Sequence, residues 1–251
     1  MMLTMMDRKL FLAPVGNSPR RVIDLGTGTG IWAIDFGDQF PSAEDIGTDL
    51  SPTQPSLVPQ NVGFLVDDME DEWTYENKFD FIHARFLASS LKDYKKVLKQ
   101  CYNNTVPGGW VEFQDWDMYT YSEDGTLKDA YLERYNKEVT EGFKKAGYVV
   151  SPGPHLEAWF PEAGFQNIHV QKYRVPLGTW PKDQHYKKLG PWNLLQAESV
   201  FEAAAMAVLT RFQGWSKDEV TVLVARTKED AKNPKIHSMF DFYVVYGQRP
   251  E

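Results

Sequence analysis

Residues 22–34 read VIDLGTGTGIWAI. The β-rich run from Arg21 to Leu25 gives way to glycine at positions 26, 28 and 30, and Ile31 and Ile34 then open a segment of helical periodicity that Pro41 closes. Glycine weakens strands and helices alike, so these three support neither neighbour. They make a tight turn in which the backbone can approach another group with no Cβ in the way.

Further strands are expected at 43–50 (AEDIGTDL), 61–68 (NVGFLVDD) and 78–86 (KFDFIHARF), and at 110–115 (WVEFQD) after a turn at PGG, 107–109. Asp45 weakens the second strand and suggests an edge or a solvated end. Residues 93–104 place Tyr94, Val97, Leu98, Cys101 and Tyr102 on one helical face. Strands alternating with helices imply βαβ units and a parallel sheet covered on both faces. Right-handed crossovers bring the strand C-termini to one edge, where open α/β sheets bind ligands. The second half reads as helices at 127–146 and 155–162, a strand within 164–178, and one or two helices in 183–213. A capping box, Ser216 with Glu219, opens a helix to about Glu229, and a last strand follows at 239–247 (MFDFYVVYG).

The chain has 251 residues, 42% hydrophobic and 25% charged, which fits one large globular domain. A net charge of −8 disfavours nucleic acid and anionic membrane surfaces. Cys101 is the only cysteine, so neither an intrachain disulfide nor a cysteine-rich metal site exists. No pair of histidines has ligand spacing, and no metal is expected. There is no apolar run of membrane-spanning length, and MMLTMMDRKLFLAP does not read as a secretory signal. An intracellular protein is expected, cytoplasmic or alternatively nuclear.

The phosphate loop fails because Ile31 and Trp32 stand where it needs Gly and Lys, and the dinucleotide fingerprint fails because its third glycine is Ile31. What remains is D-x-G-x-G-x-G, from Asp24 to Gly30, which does not imply a pyrophosphate. Asp49 ends the second strand, where a carboxylate can accept hydrogen bonds from both ribose hydroxyls. Asp67 or Asp68 could accept from an adenine amine, with Met69 against the ring, and Asp68 is preferred. A nucleoside without phosphates fits this set, and S-adenosylmethionine is one.

VIDLGTGTGIWAIDF, IGTDLSP, DDMEDEWTY, KFDFIHARFL and PGGWVEFQD, followed by VPLGTWPKD, LGPWNLLQ, RFQGWSKDEV and YVVYGQRP, resemble the fungal LaeA-like class I methyltransferases of secondary metabolism. The resemblance runs from about Asp7 to the C-terminus. It implies a Rossmann-like seven-stranded sheet, with the last strand antiparallel and inserted beside the fifth, and helical additions in the C-terminal half. Residues 1–251 would form one methyltransferase domain: a cofactor-binding half (1–117), helical substrate-side additions with strand six, NIHVQKYRV (118–236), and the final strand (237–251). S-adenosylmethionine contacts are implied at Gly26, Thr27, Gly28 and Gly30, at Asp49 and Leu50, and at Asp68 and Met69, with His83 to Arg85 beside the methionine moiety. Asp24 either holds the glycine turn or touches the cofactor, and Arg85 either pairs with the cofactor carboxylate or forms a structural salt bridge. Relatives usually carry a longer lead before the position of Met1, part of which closes over the cofactor; either that lead is missing from this sequence or the Met-rich start replaces it.

Methyl transfer needs alignment and exclusion of water more than a marked catalytic group. The catalytic residue is therefore unknown, with Asp115 and His185 as candidates. Gln114 and Tyr119 follow strand five and could reach an acceptor, while Trp180, Trp192 and Trp215 could wall a flat one. The leading expectation is methyl transfer to O or N of a small secondary metabolite. The alternatives are a regulatory partner of a transcriptional complex and a methyltransferase-fold cyclase that uses the cofactor without losing its methyl.

Overall fold

The computed structural model describes residues 1–251. Seven strands form one sheet in the order β3-β2-β1-β4-β5-β7-β6. They are β1 (Arg21–Leu25), β2 (Glu44–Asp49), β3 (Val62–Val66), β4 (Phe79–Arg85), β5 (Thr105–Tyr121), β6 (Gln166–Pro176) and β7 (Met239–Gln248). Strands β1 to β5 pair in parallel, whereas β7 is antiparallel to both β5 and β6. The helices are α1 (Met2–Met5), α2 (Ile31–Gln39), α3 (Tyr94–Asn104), α4 (Tyr131–Lys145), α5 (Gly153–Ala163), α6 (Gln184–Phe212) and α7 (Lys217–Lys232).

Alternation along the central strands sorts two cores. Ile23, Leu25, Ile82, Ala84, Val111 and Phe113 pack on α3 and α5. Val22 and Phe81 on the opposite face meet Trp32 and Phe36 of α2, with Ala13 from the N-terminal stretch. Farther along, Met2, Met5 and Met6 pack on Trp116, Leu189, Phe242 and Val244. Helices α4, α6 and α7 build a separate cluster from Leu132, Tyr135, Val139, Phe201, Val208 and Leu223.

Three expectations are corrected. Pro107–Gly109 is a bulge within β5 rather than a turn before it: Gly108 has φ +74° and the β4–β5 register slips between Phe79 and Phe81. β5 also runs on past Asp115, because the long antiparallel β7 supplies partners as far as Tyr121↔Met239. Asp45 is neither at an edge strand nor solvated. β2 lies between β1 and β3, and Asp45 has no accessible surface and no hydrogen-bond partner on either oxygen. Burial pushes its pKa up to about 8, helped by the charge of Asp24.

Candidate active site

The turn after β1 takes positive φ at all three glycines: +65° at Gly26, +57° at Gly28 and +78° at Gly30. A Cβ on Gly26 would lie 2.6 Å from Leu87 Cδ2, and one on Gly30 would lie 2.4 Å from the Phe64 ring. These two glycines let the protein pack against its own turn. A Cβ on Gly28 would meet nothing within 4 Å, so this backbone borders open space.

That open peptide is held from several sides. Gly28 N–H donates to Asp49 Oδ2 at 2.8 Å, and Gly28 O accepts from Gln54 Nε2 at 2.6 Å and Thr53 Oγ1 at 3.1 Å. Asp49 Oδ1 accepts from Ser51 N–H at 3.0 Å, which aims the carboxylate and leaves lone pairs on both oxygens. Beside it, Leu50 is 68% exposed and Val66 64%, two apolar side chains left open at the C-terminal edge. Asp67 is engaged by the Tyr75 hydroxyl, whereas Asp68 accepts only the nearby Glu70 N–H. Met69 projects toward Gly26.

Beneath the turn lies a buried polar row. Asp24 accepts from Thr27 Oγ1 at 2.6 Å and bonds His83 Nδ1 at 2.7 Å, and the His83 ring stacks on Trp32 at 3.8 Å. His83 has no accessible surface; burial lowers its pKa against the opposing pull of Asp24. Gln114 donates to Glu112 and to Leu10 O, while Glu112 accepts from the N–H groups of Leu12 and Ala13. Gln114 thus faces the N-terminal stretch. Burial pushes Glu112 up to about 7 against the hydrogen bonds it accepts. The half-buried Arg85 lies over the Phe86 ring, 5.3 Å from its centroid; burial lowers its pKa while Asp24 and Asp35 raise it, and no carboxylate reaches ion-pair distance.

The segment after β4 joins this turn to a second space. Leu87 packs against Gly26, while Phe86, Ala88, Ser89 and Ser90 line a cavity of about 430 Å³. Phe86 and Ser89 both hold positive φ, an arrangement non-glycine residues adopt only when tied down. Asp115 ties them: it accepts from the N–H groups of Leu87, Ala88 and Trp116 and from the Tyr94 hydroxyl. Burial pushes Asp115 up to about 6, with those donors opposing. Its oxygens are committed to shaping the segment.

The remaining residues singled out from the sequence lie elsewhere. Tyr119 is exposed on β5 beneath the Lys144 ammonium, and His185 is exposed in the first turn of α6. Trp180 packs on His237, Trp192 is 52% exposed, and Trp215 lies under the Arg134 guanidinium. None of them lines the cavity. Its aromatic walls are instead Phe86, Trp116, Tyr135, Phe143, Phe201 and Phe240. Trp116 stands one residue past the end expected for strand five, and following the alternation of WDMYTY would have included it.

The sequence profile of the methyltransferase-domain family matches residues 2–170. The chain belongs to this family. The methyltransferase is 41% identical over 247 residues to methyltransferase pytC of Aspergillus terreus, covering 98% of this chain and 76% of that protein. It is 33% identical over 251 residues to the secondary metabolism regulator LAE1 of Cochliobolus heterostrophus, covering 97% and 82%. Its fold matches that of Haemonchus contortus phosphoethanolamine N-methyltransferase 2 in complex with S-adenosyl-L-methionine, with a TM-score of 0.60 at 19% identity over 99% of this chain and 52% of the other. The methyltransferase thus has the class I architecture and uses S-adenosyl-L-methionine. The turn suits this cofactor: open space at Gly28 where a Cβ would intrude, and a carboxylate aimed beside it. No helix is long and apolar enough to cross a membrane.

Proposed function

We propose that this methyltransferase transfers the methyl group of S-adenosylmethionine to an O or N atom of a small secondary metabolite held in the cavity beside the glycine turn. The observation that carries the reading is the shared wall: one short segment presents Leu87 to Gly26 and Phe86, Ser89 and Ser90 to the cavity. A donor on one side and an acceptor on the other would meet at its end.

In this reading the open backbone at Gly28 holds the nucleoside closely, in a turn that Gly26, Thr27 and Gly30 shape. Asp49 accepts from its ribose hydroxyls, Leu50, Val66 and Met69 flank the base, and Asp68 accepts from the exocyclic amine. Arg85, without a carboxylate partner in the protein, suits the amino-acid end. Asp24 and His83 act from below by holding Thr27 and the turn. The cofactor, when bound, supplies an electrophilic methyl on a sulfonium.

The cavity walls then position the acceptor and exclude water, which raises the effective concentration of the two reactants. No side chain in the lining is Asp, Glu, His, Lys, Arg or Cys. Tyr135, the one titratable group there, gives its hydroxyl hydrogen to Phe201 O at 2.8 Å, and burial pushes its pKa far up. The acceptor therefore brings its own nucleophilic lone pair, and its proton leaves to water at the cavity mouth.

The test is release of S-adenosylhomocysteine by the purified protein with S-adenosylmethionine and a panel of hydroxylated and amino-substituted polycyclic aromatics. Acceptor-dependent release with a methylated product supports the reading. Cofactor binding without turnover on any member, together with a stable complex with another protein, would replace it with the regulatory role that the likeness to LAE1 favours.

A further inference from the structure

We infer that the acceptor is an uncharged, flat, ring-bearing molecule recognised through its own O–H or N–H groups, and that Asn136 and Asn193 read those donors. The inference rests on the functional reading above and adds the chemistry of the substrate.

The cavity of about 430 Å³ is of small-molecule size. Its aromatic faces suit a planar ring system. With no charged side chain in the lining, an anionic or cationic ligand would lose its hydration without gaining a partner ion from the wall. Neutral ligands escape that cost.

Polarity is set by the two asparagines. Asn193, on α6, donates Nδ2 to the Pro176 carbonyl at 3.0 Å; Asn136, on α4, donates Nδ2 to the Met118 carbonyl at 2.6 Å. A backbone carbonyl can accept only from the amide's nitrogen end, so each side chain's orientation is chemically fixed. Each Oδ1 is left with no donor from the protein, and neither is among the sealed, unpartnered atoms of the interior. Thr140 repeats the pattern, its hydroxyl hydrogen spent on the Asn136 carbonyl at 2.7 Å. Ser89, Ser90 and Gln196 can turn either way. The fixed groups are therefore acceptors, and a ligand lacking donors would leave them unpaired.

Three flat probes of one shape separate the cases: 1-hydroxypyrene, 1-methoxypyrene and pyrene-1-carboxylate, titrated by fluorescence at pH 7 with S-adenosylhomocysteine present. The hydroxyl probe is expected to bind about 10-fold tighter than either of the others, the worth of one hydrogen bond to a buried acceptor. Asn193→Leu and Asn136→Leu, each checked for a wild-type-like circular dichroism spectrum, should bring that preference below about 3-fold while the methoxy probe binds as before. The wild-type ranking alone decides the matter if a variant does not fold. Equal or tighter binding of the carboxylate, or a preference that survives both substitutions, overturns the inference. Calorimetry of S-adenosylhomocysteine alone separates the two levels: normal cofactor binding with no donor preference sinks only the inference, whereas absent cofactor binding sinks the functional reading beneath it.

Discussion

At residue scale, the three glycines do different work despite one motif. Gly30→Ala drives a Cβ into the Phe64 ring, and Gly28→Ala drives one into open space, though both force an alanine to positive φ at a cost of about 1–2 kcal/mol. Gly28→Ala is therefore expected to weaken S-adenosylmethionine binding at least about 10-fold in calorimetry with only a small fall in melting temperature. Gly30→Ala should show the reverse weighting, a large loss of thermal stability. Asp49→Ala removes an acceptor that also pins Gly28, and a fall in cofactor affinity of about 10- to 100-fold is expected by the same titration. The turn itself was legible because no other role explains glycine at alternate positions after a strand. Which glycine faces a ligand was not, since that depends on Phe64 and Leu87, which sit 34 residues or more down the chain from Gly30.

At the scale of elements, the decisive piece is the short segment from Phe86 to Ser90 and the carboxylate that anchors it. Asp115→Ala would strand the Tyr94 hydroxyl and the N–H groups of Leu87 and Ala88 in the interior. A loss on the order of 3 kcal/mol in chemical denaturation is expected, with weaker cofactor binding because Leu87 no longer seats against Gly26. Read from sequence, Asp115 was a candidate catalytic residue simply because it ended a strand at the ligand-binding edge. Its role as an anchor appears only once the backbone of the preceding strand's exit is seen beside it. Helix α6 gave a related difficulty. The sequence left one or two helices open over 183–213, and a single helix of 29 residues runs through it, past Pro191. Close packing holds it there: Gly190 has no room for a Cβ, since one would lie 2.0 Å from Gly178 O.

At the scale of the whole molecule, the sheet buries acids whose pKa values burial raises: Asp115 to about 6, Glu112 to about 7 and Asp45 to about 8. The unfolded chain releases these protons near pH 4, so between about pH 4 and pH 8 the native state holds more protons than the unfolded one. Stability should then fall as pH rises through that window, which thermal unfolding between pH 5 and pH 8.5 would show. Asp45 has the largest share, being without any partner. Asp45→Val should raise the melting temperature by roughly 5 °C at pH 8, less at pH 5, and flatten the pH profile. A profile that rises with pH, or a destabilised Asp45→Val protein, would count against this. The parallel half of the fold was readable because alternation of strand and helix leaves few topologies; the cavity was not, because its walls come from the segment after β4 together with β5, β7, α4 and α6, and no local pattern marks residues that meet only in the tertiary fold.

The most direct measurement is a crystal structure with S-adenosylhomocysteine bound. The nucleoside is expected along Gly26–Gly30 with its ribose hydroxyls on Asp49, and its sulfur is expected to face the cavity past Phe86. A nucleoside lodged elsewhere, or a sulfur walled off from the cavity, would contradict the assignment of donor and acceptor to the two sides of that segment.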